Sequence, residues 1–453
     1  LMFAKTMSPA DGVLRARVIK VSDTYIKVYK GTPLGTATPQ PSVQIKDNNL
    51  NETLNGKRNS TESYENNDPI SKIDLTKSPL NGDERKRFLS FLGTKRTVFA
   101  NHKYDVGEVK GLTGRVCDTG DARPVRSQPY RVPVAYKDAL DNEINRMLKH
   151  NIIEKAPNSS VWASPCLLVK KAGTSDLRIV QDYRKINAVT HTLSFPLPHP
   201  DSIKEMLAGQ SGLFTTIDLI KAFWNLRMDN PEDRERSTFV THKGTYQYLR
   251  VPFGFCNSSI IFQRAMSVIL SNLQWVTCQC FLDDIVIFSD RNLDNHINRV
   301  GQVLDRLIQH GIKINPAKSK WARSEVQYLG NVYNETGCKP APGLVDKINK
   351  FPEPTDLTSL KRVLGAMSYY RNYILKFSDL AKPLLELNKS DVSFKWTTEC
   401  AESFRTLKEK LTTYPVLRYP VFDRPFHIHT DASNFAIGAQ LCQVFEDGLH
   451  PIG

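Results

Sequence analysis

Apolar positions along this chain recur with two periods. Over residues 276–281 the sequence VTCQCF sets Val276, Cys278 and Cys280 against Thr277, Gln279 and Phe281, and residues 285–288 are then an unbroken β-branched and aromatic run. Alternation followed by a short apolar run predicts two strands, with the acidic pair Asp283-Asp284 at the tip of the hairpin between them. Upstream, LFTTIDLIKAFW reads as a short strand over 214–217 that ends at Asp218, just before a turn or helix start. Farther back, WASPCLLVKK and DLRIVQDYR predict two strands joined by a Gly-containing turn at 172–175. Near the end, RPFHIHTDASNFAIGAQLCQVF predicts two strands bearing Asp431, and the EDG at 446–448 reads as a hairpin turn.

The helical period appears elsewhere. Leu140, Ile144, Met147 and Leu148 line one face of a helix that stops near Asn151, a C-cap residue. Leu293, Ile297, Val300, Leu304, Leu307 and Ile308 form a longer stripe ending at Gly311. Leu360, Val363, Leu364, Met367 and Ile374 make a third face, with Lys361, Arg362, Arg371 and Lys376 available for phosphates. AESFRTLKEKLT predicts a short amphipathic helix after Trp396. At the N-terminal end, residues 1–40 are strand-rich, with a hairpin pattern over 15–38. Residues 41–95 read as a disordered polar linker, most plainly in NNLNETLNGKRNSTESYENNDP. The class is α+β.

Composition narrows the function. The 453 residues carry a net charge of +14 at a pI near 9.3, which points to a polyanionic partner, nucleic acid or an anionic membrane surface. No run of 18 apolar residues occurs and the start shows no signal-peptide pattern, so nucleic acid and an intracellular, cytoplasmic setting are expected. The eight cysteines match neither a zinc nor a redox spacing. Two readings of Asp283-Asp284 compete. Asp tolerates left-handed turn backbone, so the pair could be turn chemistry alone. Adjacent carboxylates also repel, and a hard divalent cation such as Mg²⁺ would bind them through oxygen. A third carboxylate at a strand end, Asp218, favours the second reading, because two-metal phosphoryl chemistry needs carboxylates from separate strands to hold ions about 3.5–4 Å apart.

FLDD and FTTIDLIKAFW resemble the two catalytic-aspartate motifs of reverse transcriptases. The similarity continues through DLRIVQDYRKIN, VPFGFCNSSIIFQ, HGIKINPAKSKW, QYLGNVYNETG and YYRNYILKFSDLAKPL. Over nearly its whole length the chain resembles the pol polyprotein of gypsy-like LTR retrotransposons. The resemblance implies a right-hand polymerase fold with fingers and palm over 96–331, a thumb over 332–395 and the start of an RNase H-like α/β domain over 396–453. The resemblance also assigns roles: Asp218, Asp283 and Asp284 as catalytic residues and ligands of two Mg²⁺ ions, with Mn²⁺ as an alternative. It places Lys171, Arg178, Phe223, Phe253 and Gly254 around the nucleotide, and Lys318 near the departing pyrophosphate. Each has a plainer alternative: Lys171 and Arg178 as solvated hairpin charges, Phe223 as core packing.

Where the family has Asn-Ala-Pro, this chain has Asn257-Ser258-Ser259. Asp431, in TDAS, matches the first metal ligand of the RNase H-like domain. One carboxylate cannot hold two ions, so RNase H activity is not expected of this chain, which reads as a fragment of a longer polyprotein. Asp118-Thr119-Gly120 spells an aspartic-protease signature, but its basic, Pro-rich continuation GDARPVRSQPYR is no catalytic loop. Implied partners are an RNA or DNA template with its primer, deoxynucleoside triphosphates and the rest of the polyprotein. A catalytically inactive protein that binds nucleic acid is the rival reading.

Overall fold

The computed structural model describes residues 2–3, 18–19, 68–113, 115–170, 177–198, 206–207, 212–374, 376–389, 392–412, 417–432 and 437–452. The chain divides into two units, 1–65 and 66–453. In the first, Met2–Phe3 pairs antiparallel with Val18–Ile19; the remainder of the hairpin expected over 15–38, and the linker as far as 67, lie outside the described residues.

Residues 68–95, expected to belong to a disordered linker, form ordered structure instead. Asp68 caps a turn of 3₁₀ helix, and Asn81 with Glu84 forms a capping box that starts the helix Gly82–Thr94. In sequence this helix resembles the polar stretch before it because its first six residues, GDERKR, include five charged ones. Its inner face carries Phe88 and Leu92 four residues apart, both fully buried.

The second unit is built on a four-stranded antiparallel sheet of β1 (Leu213–Asp218), β2 (Cys278–Phe281), β3 (Asp284–Ser289) and β4 (Lys320–Arg323), in the order β4-β1-β3-β2. Two helices, α1 (Ser258–Ile269) and α2 (Leu293–Gln309), cover one face. There Leu213, Ile217, Ile285 and Ile287 share a core with Phe262, Met266, Val300 and Leu304. On the other face Phe214, Val286 and Phe288 join a second core with Tyr328, Leu360 and Met367. A strand covered on both sides needs apolar residues at every position, which is why residues 285–288 do not alternate.

A five-stranded sheet lies N-terminal in sequence to most of this layer. It contains the expected hairpin, Ser164–Lys170 against Leu177–Gln181, plus a parallel pairing of Ser164–Lys170 with Phe239–Thr241. The helix Val134–Lys149 buries Leu140, Ile144 and Met147, and Asn151 follows it at φ +53°. Beyond β4, a sheet of Glu325–Tyr328, Asn331–Asn334, Gly337–Pro340 and Leu417–Arg418 leads into the helices Leu357–Tyr369 and Phe377–Leu387. The helix Thr398–Thr412, expected to open a separate domain, places Phe404, Leu407 and Leu411 in the same core as these helices. The last sheet pairs His427–Ala432 with Ile437–Phe445 and that strand with Gly448–Pro451, through a two-residue turn at Glu446 and Asp447.

Candidate active site

Strand register builds the site. In β1 the residues Phe214, Thr216 and Asp218 point one way, and their partners across β3 are Phe288, Val286 and Asp284. The row therefore runs from buried aromatic to carboxylate along one face, and the core ends where the acids begin. Directly opposed residues in such a ladder stand about 4.5–5.5 Å apart at Cβ, so Asp218 and Asp284 are immediate neighbours. Asp283 is next to them in the turn.

That turn is tight. Phe281 pairs with Asp284, leaving Leu282 and Asp283 as a two-residue loop. The left-handed residue is Leu282, at φ +54°, so neither aspartate is present for the backbone conformation that would explain it as turn chemistry. Holding a leucine there costs roughly 1–2 kcal/mol. The compensation comes from Gln263 on α1, a fully buried side chain. Its Oε1 accepts from the Leu282 N–H at 2.7 Å and its Nε2 donates to the Cys280 carbonyl at 3.2 Å. The Tyr328 hydroxyl donates to the Asp284 carbonyl at 3.3 Å, and the Asp218 N–H donates to Ser319 Oγ at 3.1 Å. The acids are thus half-exposed side chains on a backbone fixed from three sides.

Their electrostatics are those of an under-neutralised cluster. Burial pushes Asp218 above the usual carboxylate range, opposed by the Lys318 ammonium at 3.8 Å and reinforced by Asp283. Burial also raises Asp284, with the charges of Asp283 and Asp218 adding to it. Among the described residues, no three His, Cys, Asp or Glu side chains are gathered tightly enough to enclose an ion. The acids form an open rim of oxygen donors, a set suited to a hard divalent cation that keeps some water and takes further ligands from a phosphate.

The remaining expected residues divide. Phe223, in the 3₁₀ turn Ala222–Asn225, is partly buried. Its ring packs on Phe262 of the core at 5.4 Å between centroids and on the exposed Phe253 at 4.9 Å. Gly254 sits at φ +97°, a conformation that favours glycine, beside Tyr183. Arg178 is exposed on the strand Leu177–Gln181, opposite Val169. Lys171 lies outside the described residues. Asp431 is on the strand His427–Ala432, paired with Gly438. Asp118, of the rejected protease motif, accepts from the Gly120 N–H and pairs with Arg115, and the neighbouring Cys117 N–H donates to buried Asp233. Gln263, Tyr328 and Ser319 escaped the sequence reading; for Gln263 the signal was an amide directly after the apolar run Ile260 to Phe262.

A carboxylate rim on an antiparallel sheet, with a β-hairpin arm before it and a helical domain after it, is the palm of a right-hand polymerase fold. Residues 169–333 match the reverse transcriptase (RNA-dependent DNA polymerase) family and residues 396–453 match the RNase H-like domain found in reverse transcriptase. The chain carries a reverse transcriptase domain and is similar over most of its length to retrovirus-related Pol polyproteins. It is 34% identical over 391 residues to the Pol polyprotein from transposon 297 of Drosophila melanogaster, covering 84% of this chain and 36% of that protein. It is 33% identical to the Pol polyprotein from transposon gypsy of the same fly, covering 72% of this chain and 33% of that one. With the Transposon Tf2-3 polyprotein of Schizosaccharomyces pombe it shares 32% identity over 76% of its own length and 26% of the other. The chain thus spans about a quarter to a third of the length of the curated relatives it matches.

A foamy viral protease-reverse transcriptase solved with double-stranded DNA shares the fold at a TM-score of 0.74 and 24% identity, over 85% of this chain and 66% of that one. The same viral enzyme solved with an RNA/DNA hybrid gives 0.68 and 24%, over 85% and 51%. Divalent-metal dependence is general in the family, and the rim of Asp218, Asp283 and Asp284 fits it. Among the described residues no helix is long and apolar enough to cross a membrane.

Proposed function

We propose that this chain is an RNA-directed DNA polymerase that extends a primer on an RNA or DNA template with deoxynucleoside triphosphates. The observation that carries the reading is the register pairing of Asp218 with Asp284, with Asp283 beside them. These three side chains would hold two Mg²⁺ ions. Bound there, the ions would supply charge stabilisation for attack of the primer 3′-hydroxyl on the α-phosphate and for departure of pyrophosphate.

The chain's own residues do the positioning. Gln263 and Tyr328 fix the backbone that aims the acids. The Phe223 and Phe253 pair offers an aromatic wall for the sugar, and a ring at that place excludes a 2′-hydroxyl. Arg178 and Lys171 supply cationic contacts for the triphosphate, which a planar guanidinium meets in bidentate fashion. The net charge of +14 suits a partner held by backbone and shape.

The test is primer extension on an RNA template in Mg²⁺ with wild type and Asp283→Asn. Extension by the wild type with a loss of several orders of magnitude in the variant, template–primer binding being retained, is the expected result. Equal extension by both removes the carboxylate assignment, and binding without extension by either favours an inactive nucleic-acid-binding protein.

A further inference from the structure

We propose that Asn187 is a positioning residue for nucleotide selection, acting through the loop that carries Phe253 and Gly254; this rests on the polymerase reading above. Asn187 ends the short helix Arg184–Asn187, which follows the strand bearing Arg178 after two residues. Its side-chain amide grips the loop backbone on both sides of Phe255. Nδ2 donates to the Gly254 carbonyl at 2.8 Å, and Oδ1 accepts from the Cys256 N–H at 3.0 Å. One planar amide thus satisfies a carbonyl and an N–H as a neighbouring strand would.

The rest of the loop is tied at its base. Ser258 Oγ donates to the Pro252 carbonyl at 2.7 Å. Fully buried Asn257 accepts from the Leu193 N–H and donates to the carbonyls of His191 and Val116. Phe255 is pinned by Tyr183, whose ring centroid lies 4.3 Å away. The base is therefore fixed by buried contacts, while the outward arm of Phe253 and Gly254 has Asn187 as its polar tether. Gly254 at φ +97° has more accessible backbone states than any other residue type, so a missing tether there frees a wide range of orientations. Phe253 is 44% exposed and meets Phe223 at 4.9 Å. Whatever orients Gly254 orients that aromatic pair. The amide also links the pair to the arm that carries Arg178, so sugar and triphosphate contacts are set by one side chain.

The experiment measures single-nucleotide incorporation by the full chain on a template–primer, for matched deoxy- and ribonucleotides, with wild type, Asn187→Ala, Phe253→Ala and the double variant. Asn187→Ala is expected to raise KM for the deoxynucleotide about tenfold with a smaller change in kcat, and to narrow the deoxy-over-ribo preference. The double variant is expected to discriminate no worse than Phe253→Ala alone, because both changes act through one ring. Template–primer Kd and Tm should hold. Asn187→Asp keeps the shape and the acceptor but sets a carboxylate against the Gly254 carbonyl, and should fail as badly as Ala. A parallel fall in Tm, template–primer affinity and kcat, with KM and discrimination unchanged, overturns the proposal, as do multiplicative losses in the double variant. Binding of matched deoxynucleotide to the complex with a dideoxy-terminated primer separates the two readings. No nucleotide response in the wild type sinks the polymerase reading itself, whereas a wild-type response matched by Asn187→Ala sinks the tether alone.

Discussion

Gln263 holds Leu282: a buried amide from α1 accepts the N–H of a leucine that stands at φ +54° one residue before Asp283. Replacing Gln263 with Leu leaves that N–H and the Cys280 carbonyl without partners, at a cost of about 1–3 kcal/mol for each buried group. The turn should relax and swing the acids. Single-turnover extension by Gln263→Leu is expected to drop at least tenfold while template–primer Kd stays within about twofold; an unchanged rate would show that the turn holds itself.

His296 gives a pH prediction. It is fully buried on the α-helical side of the sheet, with Nε2 at 2.8 Å from Thr215 Oγ1 of β1 and Nδ1 at 2.9 Å from Ser289 Oγ of β3. Burial pushes its pKa down to about 3. Unfolded, the ring takes its proton near pH 6.5, so the unfolded state binds more protons between the two values. The stability contributed is complete above about pH 6.5 and is lost as pH falls toward 3. Urea unfolding at pH 7.5 and 5.0 should show a wild-type loss of about 2 kcal/mol from this group, absent in His296→Gln; equal pH slopes would refute it.

Phe223→Ala should admit ribonucleoside triphosphates. The ring packs against Phe253, and on the proposed reading its removal would free space at the sugar 2′ position. Incorporation ratios for matched deoxy- and ribonucleotides are the measurement. Discrimination unchanged from wild type would return Phe223 to its packing role against Phe262.

Binding of template–primer should weaken steeply with salt. Counterion release gives a log–log slope near 0.9 per neutralised phosphate for a B-form duplex. Titrating affinity between about 50 and 200 mM salt should give a slope of several units, and removing Lys361 and Arg362 together should lower it by up to about two. A flat response would make the basic balance a matter of solubility.

How much of this was legible beforehand depended on range. Periodicity located β2, β3 and α2, and the hairpin arm, because each is specified by residues within about twenty positions of one another. Asp218 and the pair Asp283-Asp284 stand out for the same reason, each lying in a short local motif. The helix Gly82–Thr94 is not legible locally because the charged run GDERKR dominates its composition, while the burial of Phe88 depends on Trp321, far away in sequence. Local pattern chose the strands and the acids. Only folding decided that Asp284 stands opposite Asp218, that Leu282 takes the left-handed position, and that Gln263, Tyr328, Asn187 and Asn257 hold the loops. Those facts rest on register and on hydrogen bonds spanning from 17 residues, for Gln263 and Cys280, to 141, for Asn257 and Val116, and a linear pattern carries no term for contacts closed only by packing.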